Sequence, residues 1–204
     1  MPTLTFQAET KRLLDLVIHS LYTSPEIFLR ELLSNASDAL DRFRLESLQR
    51  PHLDDGTPLE IELEVDSDRR LLTVRDNGVG MTQEEVIQNL GTIAHSGTGK
   101  LAEQLRGEPD RAALVDLIGR FGVGFYSAFM VAERVVVVTR RAGADLGIRW
   151  ESTGETDYTI TEEPSASRGT AVTLMLRPTD PEHGIEDYTS RWTLQRIIKR
   201  YSDF

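Results

Sequence analysis

Glu31, Asn35, Asp38 and Arg42 recur at intervals of four, three and four residues. On a helix turning about 100° per residue they fall within about 60° of one another, one narrow stripe of two acids, a carboxamide and a guanidinium. Phe28, Leu29, Leu32, Leu33, Ala36, Ala39, Leu40 and Phe43 cover the arc beside it. The stripe therefore borders the apolar face, where a pocket wall would set acids beside a ligand; an ordinary solvated helix edge has the same pattern. A second acid, Asp76, opens the run DNGVG at 76–80. A carboxylate on a glycine-rich turn can accept a hydrogen bond from an exocyclic amine such as that of adenine, whereas guanine presents a carbonyl there and is repelled. A surface Asp-Asn-Gly turn is the plainer alternative. The third element is GRFGVGF, with Gly119, Gly122 and Gly124 ahead of the apolar FYSAFMVA. Amides at the start of a helix form an anion site, although glycines before a helix also serve close packing.

Positioning these groups requires regular elements on either side. Leu13, Leu14, Val17, Ile18 and Leu21 keep a helical stripe, and Ser24 as N-cap with Pro25 at the first helical position predicts a long helix to about Leu48. LEIELEV (59–65) and RLLTVRD (70–76) predict a hairpin around the turn DSDR. Thr82 and Glu85 have capping-box spacing ahead of Val86, Ile87 and Leu90, which marks a short helix. Nine of the 15 glycines lie between 78 and 124, so the stretch between the two glycine motifs reads as hinged. Strands follow at 135–140, 148–152, 157–161 and 169–178, and a last helix spans about 189–201. That helix ends at YSDF with no Gly or Pro stop signal, the expectation for a longer polypeptide.

Composition narrows the function classes. With 33 acidic against 23 basic residues the net charge is −10, and such a field disfavours nucleic acid and anionic membranes as main partners. A small phosphorylated ligand remains compatible, because main-chain amides and a metal ion bind phosphate without net positive charge. Zero cysteines remove disulfides and thiol chemistry and suit a reducing compartment, so a cytoplasmic location is expected. His19, His52 and His183 lack mutual metal-ligand spacing. The absence of repeats and linkers favours one continuous domain over residues 1–204.

Taken together, EIFLRELLSNASDALD, DNGVGMT, NLGTIAHSGT and IGRFGVGFYSAFMVA closely resemble the nucleotide-binding domain of the ninety-kilodalton heat-shock protein chaperones, in their bacterial form. The resemblance runs from TFQAE to IIKRYSDF. It is much longer than the elements shared with the wider group of DNA gyrase B, MutL and histidine kinases. It implies an α+β two-layer sandwich, helices on one face of a largely antiparallel sheet, with ATP or ADP between the helix layer and a mobile lid at about 91–125. Glu31 would orient and deprotonate the attacking water, and Asn35 would give Mg²⁺ its oxygen, both within the ordinary chemistry of these groups. Asp76 with Thr170 would hold adenine. Asp38, Gly80 and Met81 would line the pocket, and Asn89 would meet the ribose and phosphate. Gly119, Gly122, Val123, Gly124 and Phe125 would cradle phosphate, and Arg42 would pair with Glu31 and tune it. His95, with Ser96 beside it, occupies a slot where the family usually has lysine, which implies a weaker phosphate contact at neutral pH.

The implied function is ATP-driven protein chaperoning: ATP closes the lid, residues 3–9 exchange across a homodimer, and hydrolysis resets a clamp on client proteins. The resemblance also implies middle and C-terminal domains beyond Phe204, the first supplying an arginine to the transferred phosphate. The rival readings are an ATPase module of a DNA-repair or topoisomerase subunit and a histidine-kinase catalytic module. The charge disfavours the former, and SGTGK has no explanation in the latter.

Overall fold

The computed structural model describes residues 3–5, 24–91, 124–155 and 157–201. Its strands are β1 (Thr3–Thr5), β2 (Ile61–Asp66), β3 (Leu71–Asp76), β4 (Ala132–Arg140), β5 (Gly147–Ser152), β6 (Asp157–Glu163) and β7 (Gly169–Leu176). Its α-helices are α1 (Ile27–Gln49), α2 (Gln83–Leu90) and α3 (Arg191–Tyr201). The strands form one sheet in the order β1-β6-β5-β4-β7-β3-β2, with every neighbouring pair antiparallel.

Strand register sorts the side chains into transverse rows, because alternate residues point to opposite faces. Leu72, Leu174, Val135, Ser152 and Tyr158 form one inward row; Leu63, Val74, Val172, Val137, Trp150 and Ile160 form the next. Against them pack Phe28, Leu29 and Leu32 of α1 and Leu194 and Ile197 of α3, all in one buried cluster. Phe125, Trp150 and Tyr158 add an aromatic layer, with Phe125 edge-on to Trp150 at 5.7 Å and Trp150 stacked on Tyr158 at 5.9 Å. The opposite face mixes apolar side chains such as Val136 and Met175 with polar pairs: Thr73 meets Thr173 at 2.9 Å, and Glu151 takes both Arg134 and Arg149. One face covered by helices and one hydrated makes the two-layer α+β sandwich expected from the sequence.

Three boundaries differ from expectation. Helix α1 starts at Ile27, and Ser24 gives no side-chain cap. The amides of Ile27, Phe28 and Leu29 instead reach the carbonyls three residues back, each at 3.2 Å, so Ser24 to Glu26 form a tight lead-in turn. FYSAFM, residues 125–130, lies within a 3-10 segment, Gly124–Met130, rather than an α-helix. Its seven residues run straight into β4, and the Ser127 hydroxyl donates to the Gly124 carbonyl at 2.6 Å. Helix α3 begins at Arg191, because Asp187 holds the Thr189 amide in a turn at 3.1 Å. The first predicted helix (residues 13–21) lies outside the described residues.

The capping box at α2 is formed on both sides: Thr82 Oγ1 accepts from the Glu85 amide at 3.2 Å and Glu85 Oε2 from the Thr82 amide at 2.8 Å. Thr82→Ala should lower stability by about 1 kcal/mol. The check is a fall in urea midpoint at unchanged m-value.

Candidate functional site

The third inward row of the sheet breaks the apolar pattern. Register places Asp76 of β3 beside Thr170 of β7, and Thr170 beside Thr139 of β4, between Ile61 and Ile148. Thr139 Oγ1 lies 3.0 Å from Thr170 Oγ1 and donates to the Gly169 carbonyl at 2.9 Å; the Met81 amide donates to it at 3.0 Å. Asp76 is only 7% exposed, and its Oδ1 accepts from the Gly78 amide at 2.9 Å. Burial pushes its carboxyl up to about 6, against the pull of the Gly78 and Thr170 amides and the Arg168 guanidinium. A desolvated acid at the end of an apolar sheet face is costly to keep unless it is used to bind something.

The turn after Asp76 is sewn to both sides. Asn77 closes the loop before β2, accepting from the Glu60 amide at 2.9 Å and donating to the Pro58 carbonyl at 2.7 Å. At Gly78 a side chain would run into the α1 backbone at Ala39, and the next amide, of Val79, donates to the Ala39 carbonyl at 3.0 Å. Gly80 has φ +64° and lies against the Arg140 carbonyl. The glycines of DNGVG thus let one turn touch α1 and the end of β4 together. That closeness brings the stripe of α1 and the Asp76 row to one side of the molecule.

On α1 the stripe changes from buried to open. Glu31 is 9% exposed, whereas Asn35, Asp38 and Arg42 are exposed. Glu31 Oε1 accepts from Arg30 Nε at 3.0 Å and Nη2 at 2.5 Å. Its Oε2 faces Gly124, where any side chain would collide with it. The expected Glu31–Arg42 pair is therefore replaced by a Glu31–Arg30 pair. Eleven residues of helix separate Glu31 from Arg42 by about 16 Å of rise, beyond side-chain reach.

Met81 is half-buried, and Asn89 stands on the exposed side of α2 with Nδ2 3.9 Å from the Met81 sulfur. Gly124 and Phe125 are buried, and the Phe125 ring belongs to the aromatic core, so any phosphate contact from this residue would come from its main chain. His95, Ser96, Gly119, Gly122, Val123 and most of the expected lid at 91–125 lie outside the described residues. Among the described residues no cluster of three His, Cys, Asp or Glu side chains suits a metal ion, and no helix is long and apolar enough to cross a membrane.

Sequence reasoning missed three residues here: Thr139, which links the threonine row to Met81; Arg30, which holds Glu31; and Arg168, which touches the Asp76 turn. Thr139 and Arg168 owe their places to strand pairing across 31 and about 90 residues of sequence, which local pattern does not carry. For Arg30 adjacency to Glu31 was a visible signal, but neighbours on a helix do not ordinarily face each other.

Comparison with known proteins identifies the family. The sequence profile of the "Histidine kinase-, DNA gyrase B-, and HSP90-like ATPase" family matches residues 22–174. The chain is 57% identical over 203 residues to the chaperone protein HtpG of Salinispora tropica, covering 99% of this chain and 32% of that protein. It is 53% identical over 206 residues to HtpG of Mycolicibacterium vanbaalenii, covering 98% and 32%. With HtpG of Mycobacterium tuberculosis it shares 52% over 202 residues, covering 98% and 31%. The chain spans about a third of the length of these relatives.

Proposed function

Because the chain belongs to the histidine kinase-, DNA gyrase B- and HSP90-like ATPase family, and matches HtpG chaperones along nearly its whole length, we propose that residues 1–204 form the ATP-binding and ATP-hydrolysing domain of an HtpG-type chaperone. The observation that carries this is the polar row Asp76–Thr170–Thr139 at the end of an otherwise apolar sheet face. Asp76 accepts the adenine exocyclic amine, and Thr170 completes the contact directly or through water. Glu31 takes a proton from the attacking water with Oε2, while Arg30 holds Oε1. Gly80 and Met81 line the adenine end with Asp38; Asn89 and the 119–125 loop serve ribose and phosphate. The carboxamide of Asn35, exposed one turn from Glu31, would supply a hard oxygen ligand to Mg²⁺, which is usually bound by few protein groups. When bound, the ion would neutralise phosphate charge.

In the whole protein we assign the domain to a cytoplasmic homodimer acting on client proteins, with a lid at about 91–125 and exchange of residues 3–9 between protomers. The DNA-directed alternative is not favoured, since the chain is acidic and its strong similarities are to chaperones.

Calorimetric titration with Mg·ATP, Mg·ADP and Mg·GTP tests the site. ATP and ADP should bind and GTP should not; equal binding of GTP would remove Asp76 as a base reader. Affinity should also depend on pH. Because the carboxylate is the acceptor, ADP affinity should be flat from pH 7 to 8 and fall as pH drops below about 6, by up to tenfold per unit. Titrations at saturating Mg²⁺, which keeps the phosphates ionised, would show it; a flat profile down to pH 5 would contradict it.

A further inference from the structure

Arg168 lies just ahead of β7 and is spent in an unusual way. Its guanidinium carbon sits 3.8 Å from the centroid of the Phe43 ring on α1. Nη1 donates to the Asn77 carbonyl and, at 3.5 Å, to the Gly78 carbonyl; Nη2 reaches Asp55 Oδ1 at 3.3 Å. The side chain is 12% exposed, whereas its acid partner Asp55 is 58% exposed. An exposed acid at that distance adds little. The near-buried cation is therefore held chiefly by a ring face and two main-chain carbonyls, and both carbonyls belong to the turn that follows Asp76.

The amide of Gly78 donates to Asp76 Oδ1, so whatever fixes the Gly78 peptide fixes the direction of the Asp76 carboxyl. Arg168 holds the carbonyl on each side of that residue's Cα, while Gly169 next to it packs against the Asp76 carbonyl at φ +105°, a position no side chain could share. Among the described residues, the groups acting on the Asp76 charge are the Gly78 and Thr170 amides and the Arg168 guanidinium.

We propose that Arg168 is a positioning residue for nucleobase recognition: stacked on Phe43, it clamps the 77–78 carbonyls so that Asp76 is aimed at the adenine amine, and its charge supports the carboxylate. The proposal rests on the adenine reading of Asp76. A planar, delocalised fork suits the task because it stacks on an aromatic ring and reaches two acceptors in its own plane; a lysine keeps the charge but loses both.

Two measurements on wild type, Arg168→Met, Arg168→Lys and Asp76→Asn test it. The first follows the Asp76 carboxyl by carbon NMR in nucleotide-free protein, the resonance being identified by its absence from Asp76→Asn. The second is Mg·ADP affinity at pH 7.5 by calorimetry. Arg168→Met should raise the Asp76 midpoint and weaken ADP about fivefold or more. Arg168→Lys should leave the midpoint near that of the wild type yet still weaken ADP. An Arg168→Met protein with the wild-type midpoint overturns the proposal whatever its affinity, because a merely structural arginine would behave so. If Arg168→Met does not fold, as judged by circular dichroism, Arg168→Lys decides, and wild-type ADP affinity there overturns the clamp. Failure of the adenine reading looks different: Asp76→Asn would keep its ADP affinity, while the Arg168→Met midpoint would still move.

Discussion

Asp76→Asn should weaken ATP and ADP by roughly 30- to 1000-fold, the ~2 to 4 kcal/mol that disabling a buried polar partner costs. A carboxylate presents acceptors on both oxygens, one for the Gly78 amide and one for the adenine amine. An asparagine has a single acceptor oxygen, so one of those two donors must face an N–H. The same substitution should change the pH dependence of stability. The folded carboxyl titrates near 6, above its ordinary value of 3.8, so the group contributes stability fully below pH 3.8 and loses it as pH rises through 6. At about 1.4 kcal/mol per unit, the wild type should lose up to about 3 kcal/mol between pH 4 and 8 that Asp76→Asn does not lose. Urea denaturation at pH 4 and 8, run with ADP titrations, measures both effects. Wild-type ADP affinity in a folded Asp76→Asn protein would remove the adenine assignment.

Glu31→Ala should separate binding from chemistry. Its carboxylate acts on a water in the transition state, so hydrolysis should fall by about 10²- to 10⁴-fold while ATP affinity stays within a few-fold. The fold should survive, since Arg30 is a third exposed and can turn to solvent once its partner is gone. Single-turnover hydrolysis alongside equilibrium binding provides the comparison. Equal losses in both would make Glu31 a ligand contact rather than a base.

Much of the scaffold was legible because its determinants are local. The alternation in β2 and β3, the valine run of β4 and the Thr82–Glu85 box each act within a few residues, and each appears where the pattern put it. The start of α1 was misread because Glu26, not Ser24, is the pivotal residue there. Its buried carboxylate accepts from Arg200 at 2.6 Å and Tyr201 at 2.8 Å, partners some 175 residues away. The 3-10 form of Gly124–Met130 was hidden for a similar reason: its apolar residues satisfy helical periodicity, but packing against Trp150 and Leu90 decides their backbone. Of the candidate site, the acids and glycines were visible as types. Arg168 and Thr139 were not, since only strand register makes them neighbours of Asp76.

The position of β7 bears on how this chain is made. Within this sheet β7 is the last strand in chain order, yet it sits between β3 and β4, bonded to both. Until residue 176 has emerged, the β2–β3 hairpin and the β4–β5–β6 meander are separate pieces with open edges, and Asp76 has no Thr170 beside it. Closing a ladder across roughly 100 residues is entropically slow compared with either hairpin. Nucleotide therefore cannot rescue a nascent chain early; it can only capture one whose sheet is already joined. In a pulse-labelled translation, acquisition of ADP binding should coincide with protection of the β3 and β7 amides, which makes the ligand a reporter of the final assembly step rather than a folding template.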